Sequence, residues 1–318
     1  MKAIINTQYG PPEIVKLMDI PIPTPKPGEV LIRVKASTVN RTDCGFRSAE
    51  YFISRFFSGL FRPKNKTLGN EFAGIIEALG AGVTNYKIGD QVFGYNDKTF
   101  GAHAEFMTMD ALGSMALMPT GWTFEDAAAL TEGSHYALCD IHAAKVQAGQ
   151  NILVYGATGA IGSAAVQLLK HFGTHVTAIC STPYMDLVKS LGADRVIDYT
   201  KEDYSNSEQR YDFIFDAVGK SSFGQAKKVL TENGIYISTE LGKNSENVFL
   251  AMIAKYKKKK VLFPIPSINK SDVDFLQSLA IAGKFKPVID RSYTLEQMVE
   301  AYRYVESGQK IGNVIIKS

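Results

Sequence analysis

The stretch "VYGATGAIGSAAVQLL" carries Gly156, Gly159 and Gly162 three residues apart, directly after an apolar run and directly before a helical pattern. A turn bare of side chains lets the backbone approach a pyrophosphate, whose charge is favoured by open amides and the positive end of a helix dipole. Ala157 takes the first place of a G-x-G-x-x-G pattern and Gly159 and Gly162 the other two, so Gly156, Ala157, Thr158, Gly159, Ala160 and Ile161 form the expected dinucleotide-binding turn. The bland alternative is a tight structural turn. An NAD site places an acid about twenty residues further on for the ribose hydroxyls. Here the next strand runs into "AICSTPY", where Ser181 and Thr182 are neutral donors for a 2′-phosphate and no carboxylate stands to repel it. NADPH is the expected cofactor and NADH the alternative. Ser181 and Thr182 also suit a plain capping role for a helix beginning near Pro183.

The elements that must position this turn alternate along the chain. From 1 to 122, short β-type runs such as "EVLIRVKAS", "EFAGIIEAL" and "DQVFGY" are punctuated by Pro and Gly, which reads as an irregular strand-rich domain. From 123 to 266 the pattern becomes helix, strand, helix, strand, from "FEDAAALTEGSHYALCDIHAA" and "NILVYG" through "HVTAIC", "RVIDY", "YDFIFDAV" and "GIYISTE" to "KVLFPIP". That alternation predicts an α/β fold with a doubly wound parallel sheet. Residues 267–318 give two helices and a last strand, "NVIIK", which are expected to rejoin the first domain.

The 318 residues are 45% apolar and 21% charged with a formal net charge of +3, an ordinary composition that argues against nucleic acid as a main partner. No run has the apolar length of a membrane span, and "MKAIINTQYGPPEIVKL" has no signal core, so no membrane partner and a cytoplasmic location are expected. Cys44, Cys139 and Cys180 are scattered without metal spacing. The "KYKKKK" run at 255–260 reads as a solvated helix end before a buried strand, and the aromatic stretch "YFISRFFSGLFRPKNK" as either a pocket wall or loop filling.

Taken together, "VLIRVKASTVNRTD", "LGNEFAGIIEALGAGV", "IGDQVFGY", "GATGAIGSAAVQLLK", "LGADRVIDY" and "YDFIFDAVG" resemble the medium-chain dehydrogenase/reductase superfamily, and within it the zinc-free quinone oxidoreductase-like branch. The resemblance covers nearly the whole chain. It implies a GroES-like β-rich catalytic domain from both chain ends, a Rossmann domain between them, a cleft for cofactor and substrate, and a homodimer. Zinc-dependent members hold their metal with a cysteine three residues before an aspartate, the histidine of G-H-E-x-x-G, and a ligand on the helix leading into the Rossmann domain. The matching positions are Asn40 before Asp43, Asn70 in "LGNEFAG", and Glu132. Neutral amides are poor zinc ligands and one carboxylate cannot replace thiolate and imidazole, so no metal is expected.

The resemblance further implies roles for single residues. Tyr51, eleven residues after Asn40, matches a tyrosine near the nicotinamide, and Glu132, His135 and Tyr136 fall beside it, Tyr136 where a threonine is frequent. The catalytic candidates are therefore Tyr51, Asn40, Glu132 and His135, while Glu71 is expected to hold backbone or an arginine. Tyr199 matches a tyrosine lying against the adenosine phosphate, and the basic residue common after the Ser181–Thr182 pair is replaced by Pro183 and Tyr184. Val218 and Gly219 after the fourth strand, and Leu241 and Gly242 after the fifth, lie at carboxyl ends of strands, where open α/β sheets bind ligands.

Without a Lewis acid, an oxyanion must be stabilised by hydrogen-bond donors, which suits conjugated acceptors that spread the incoming charge. The expected activity is zinc-independent, NADPH-dependent hydride transfer to a small-molecule quinone or α,β-unsaturated carbonyl. The alternatives are an enoyl-thioester reductase and an NADPH-binding protein without turnover.

Overall fold

The computed structural model describes residues 1–50 and 55–318, excepting the side chains of Phe57 and Lys255. The chain divides into two compact units, Met1–Glu132 with Ile268–Ser318, and Gly133–Ser267.

In the first unit, seven strands form one sheet with the order Ile289–Thr294, Asn313–Lys317, Glu29–Val39, Glu71–Leu79, Gln91–Tyr95 and Met115–Leu117, while Phe106–Asp110 pairs with Glu29–Val39. The C-terminal strand Asn313–Lys317 runs antiparallel to Glu29–Val39, with Val314 opposite Val39. Alternating apolar side chains of the central strands, among them Val30, Ile32, Val34, Phe72 and Ile76, make one core, and Tyr302, Val305, Val314 and Ile316 belong to another. Register gathers three strand ends at one place. Val39 ends its strand one residue before Asn40, Asn70 precedes the strand Glu71–Leu79, and Tyr95 lies opposite Glu71.

The second unit is a six-stranded parallel sheet ordered Arg195–Asp198, His175–Cys180, Asn151–Tyr155, Tyr211–Asp216, Leu230–Ser238, Lys260–Leu262. In order of appearance this is 3-2-1-4-5-6, so the strand order reverses between Asn151–Tyr155 and Tyr211–Asp216, the point where such a sheet receives a dinucleotide. The continuous apolar runs of these strands follow from burial on both faces. Helix Ala160–His171 turns Ala164, Ala165, Val166, Leu168 and Leu169 inward. The lysine run leads into the edge strand Lys260–Leu262, where Lys258 pairs with Glu232 and Lys259 donates to the Lys227 carbonyl.

The helical stretch from 124 is broken in two, Phe124–Ala128 and Glu132–Ala143. The break is made by a distant carboxylate. Glu71 Oε1 accepts from Thr131 N at 3.0 Å, Thr131 Oγ1 at 2.9 Å and Glu132 N at 2.5 Å, capping the second helix from across the first unit. No helix among the described residues is long and apolar enough to cross a membrane.

Candidate active site

Asn40 is the N-cap of helix Arg41–Ser48, its Oδ1 accepting from Asp43 N at 2.9 Å while Asp43 accepts in return from Asn40 N at 3.2 Å. This reciprocal cap fixes the amide so that Asn40 Nδ2 donates to Asn70 Oδ1 at 2.7 Å. Asn70 Nδ2 then donates to Glu132 Oε2 at 3.1 Å and to Tyr95 Oη at 3.0 Å, and Thr42 Oγ1 donates to Glu132 Oε1 at 2.7 Å. Asn40, Asn70 and Glu132, separated in sequence, thus form one buried hydrogen-bonded chain.

Its electrostatics turn on two glutamates. Glu71 is fully buried and, besides its three bonds at the helix start, accepts from Thr38 Oγ1 at 2.6 Å. Four donors suit a charged carboxylate, although burial raises its pKa. Burial, and then the neighbouring Glu71 charge, push Glu132 up to about 8. Glu71 accepts from four donors and Glu132 from two, so of the pair Glu132 is the better placed to hold a proton. Beneath it, Asp43 is raised by burial and by Glu132, and it accepts from Gly69 N at 3.0 Å. Burial lowers His103 to about 4 and keeps it neutral, with Nε2 2.8 Å from the Thr38 carbonyl.

In the second unit, the glycine turn separates two demands. A Cβ on Gly162 would lie 2.1 Å from the Gly156 carbonyl, and one on Gly156, where φ is +78°, would strike Val218 at 2.6 Å. These two glycines are required by packing of turn, helix and neighbouring loop. Gly159 is different, since its Cβ would meet nothing nearer than 3.8 Å. It is the N-cap of Ala160–His171 and supplies no side-chain cap, which leaves an open backbone cradle at the start of a twelve-residue helix. A pyrophosphate fits such a cradle.

The other predicted residues scatter around this sheet. Val218 and Gly219 follow strand Tyr211–Asp216 in a loop held by Asp216, which accepts from Val218 N, Lys220 N and Ser221 N. Leu241 and Gly242 follow strand Leu230–Ser238, with Asn247 N donating to the Leu241 carbonyl. Tyr199 is 54% exposed. His135 is buried on helix Glu132–Ala143, its ring 4.7 Å from that of Tyr136. Tyr51 lies outside the described residues.

One expectation is corrected. A carboxylate does stand at the Ser181–Thr182 position, delivered by the neighbouring strand: Asp198 pairs in register with Cys180, and Thr182 Oγ1 donates to Asp198 Oδ2. Asp198 lies in the quoted "LGADRVIDY", yet adjacency of residues 182 and 198 depends on parallel register. Tyr95, Thr42 and Glu71 as a helix cap were hidden for the same reason.

Residues 26–122 match the family described as "Alcohol dehydrogenase GroES-like domain", and residues 191–316 the family described as "Zinc-binding dehydrogenase". The chain is 32% identical over 328 residues to the 2-methylene-furan-3-one reductase of Solanum lycopersicum, covering 99% of this chain and 79% of that protein. It is 30% identical, with the same coverage, to the chloroplastic NADPH-dependent alkenal/one oxidoreductase of Arabidopsis thaliana. The solved quinone oxidoreductase of Coxiella burnetii superposes with a TM-score of 0.88 at 28% identity, covering 100% of this chain and 99% of that one.

Proposed function

This chain belongs to the medium-chain dehydrogenase/reductase superfamily, in its quinone oxidoreductase-like branch, and from that premise we propose that it is a zinc-independent, NADPH-dependent reductase of quinones or α,β-unsaturated carbonyls. The observation that carries the reading is the Asn40–Asn70–Glu132 chain. The oxygens a metal would need are engaged: Asn40 Oδ1 by Asp43 N, Asn70 Oδ1 by Asn40 Nδ2, and the Glu132 oxygens by Thr42 and Asn70. Two amides and one protonated carboxyl do not fit a zinc ion, despite the description of one matching family.

Bound NADPH would supply hydride to an electron-poor carbon of the substrate. The glycine turn would hold its pyrophosphate, with Thr158, Gly159, Ala160 and Ile161 presenting backbone at the helix start. Asn40 and Asn70 hold Glu132 in place, and Glu132 keeps a proton at neutral pH. That proton completes reduction when passed to the enolate or hydroquinone oxygen, and Thr42 and Tyr95 adjust the hydrogen bonding as it leaves.

We further propose that the protein is a homodimer. The strand Lys260–Leu262 at the edge of the parallel sheet supports sheet extension by a second copy. Light scattering at the mass of two chains is the expected result.

Steady-state assays with NADPH against a quinone, an alkenal and a crotonyl thioester test the activity. Turnover of the first two is expected. Tight NADPH binding with no turnover on any of the three would overturn the proposal, and preference for the thioester would shift it to an acyl substrate.

A further inference from the structure

We infer that Lys201 is the cation that receives the 2′-phosphate of NADPH, presented from the loop after the third strand of the parallel sheet. The inference rests on the NADPH reading above.

The starting point is a cavity of about 350 Å³ lined by Tyr155, Ile179, Tyr199, Lys201 and Tyr204, among others. Tyr155 ends its strand and pairs in register with Ile179, one residue before the end of the neighbouring strand, so the cavity opens at the carboxyl edge of the sheet, where an adenosine belongs. Three tyrosines at its wall suit a flat base.

A dianionic phosphate needs a positive partner there, and none follows Thr182, where Pro183 and Tyr184 stand. The neighbouring strand brings one. Lys201 Nζ lies 3.5 Å from Asp198 Oδ2, the same oxygen to which Thr182 Oγ1 donates. One anion can therefore be reached by both the Thr182 hydroxyl and the Lys201 ammonium.

Asp198 acts as the holder. Its other oxygen accepts from Thr200 N at 2.9 Å and Thr200 Oγ1 at 2.7 Å, and its carbonyl accepts from Lys201 N at 3.0 Å, which fixes the base of the lysine. The other acids at the cavity have different work: Glu202 leans toward Arg195 at 3.9 Å, and Asp203 accepts from Ser205 N and Ser205 Oγ. Lys201 itself is 67% exposed, and its 3.5 Å contact is longer than the roughly 2.7–2.9 Å of a tight charge-assisted bond, so it can turn from Asp198 to a phosphate oxygen. When Thr182 and Lys201 turn to the phosphate, the Asp198 charge keeps the two Thr200 donors on its other oxygen.

Calorimetric titration of the full-length protein with NADPH, NADH, 2′,5′-ADP and 5′-AMP tests the assignment without requiring turnover. Wild type should prefer NADPH to NADH and 2′,5′-ADP to 5′-AMP. Lys201→Ala should weaken NADPH and 2′,5′-ADP about 10-fold while NADH and 5′-AMP stay within about 2-fold, and Lys201→Arg should retain most of the preference. An unchanged preference in Lys201→Ala, or equal weakening of all four ligands, overturns the lysine assignment and leaves the NADPH reading standing. Wild type binding NADH as tightly as NADPH overturns the NADPH reading, and the lysine assignment with it.

Discussion

In the proposed function, residues 156–162 would act through backbone, whereas Asn40, Asn70 and Glu132 would act through side chains drawn from three elements. The first arrangement is local: one strand, one turn and one helix make it, and Gly156 and Gly162 are needed because nothing larger fits at either position. The second is assembled by sheet register and by a helix whose start is fixed by Glu71. A local cradle tolerates little change in its own residues, while an assembled network is sensitive to residues far from the chemistry.

The largest effect is expected from Gly162→Val, whose Cβ would lie 2.1 Å from a backbone oxygen. Cofactor affinity should fall more than about 100-fold, with a lowered melting temperature, because backbone cannot yield as a side chain does. Gly159→Ala sharpens the contrast inside the same turn: its Cβ meets open space, so the melting temperature should hold while NADPH affinity, measured by titration, falls about 10-fold.

On the other side of the comparison, Glu132→Gln keeps the shape and removes the transferable proton. Turnover should fall about 100-fold with little change in NADPH affinity. The wild-type rate should be level below about pH 8 and decline above it as the acid form disappears, and the variant should lose that limb. Stability follows the same proton. Because folding raises the Glu132 pKa from 4.5 to about 8, its contribution is full below about pH 4.5 and is lost as pH rises toward 8. Melting curves from pH 5 to 8 should slope less in Glu132→Gln. A pH-independent wild-type rate would break the assignment of the proton.

Glu71→Gln tests the support rather than the chemistry. An amide nitrogen in place of either oxygen, facing three donors on the Oε1 side or one on the Oε2 side, should cost about 3 kcal/mol in urea unfolding, with turnover lowered through the displaced helix start.

These contrasts explain what was legible in the sequence. The glycine turn could be read because its spacing, preceding strand and following helix are contiguous, and strand–helix alternation announced the parallel sheet for the same reason. The convergence of Asn40, Asn70 and Glu132 was reached only through resemblance, since no local pattern relates residues 40, 70 and 132. Tyr95 joins them through the pairing of Glu71 with Tyr95, and Asp198 meets Thr182 through the pairing of Asp198 with Cys180. Such partners are set by register, which short-range periodicity does not encode. Likewise "FEDAAALTEGSHYALCDIHAA" reads as one helix because the carboxylate that divides it lies sixty residues earlier.

The central claim is hydride chemistry without a Lewis acid. Its most direct test is NADPH-dependent quinone reduction by full-length protein before and after treatment with a zinc chelator, with metal content measured on the same samples. Unchanged turnover at well below one zinc per chain is predicted. Turnover lost on chelation and restored by added zinc would contradict the account.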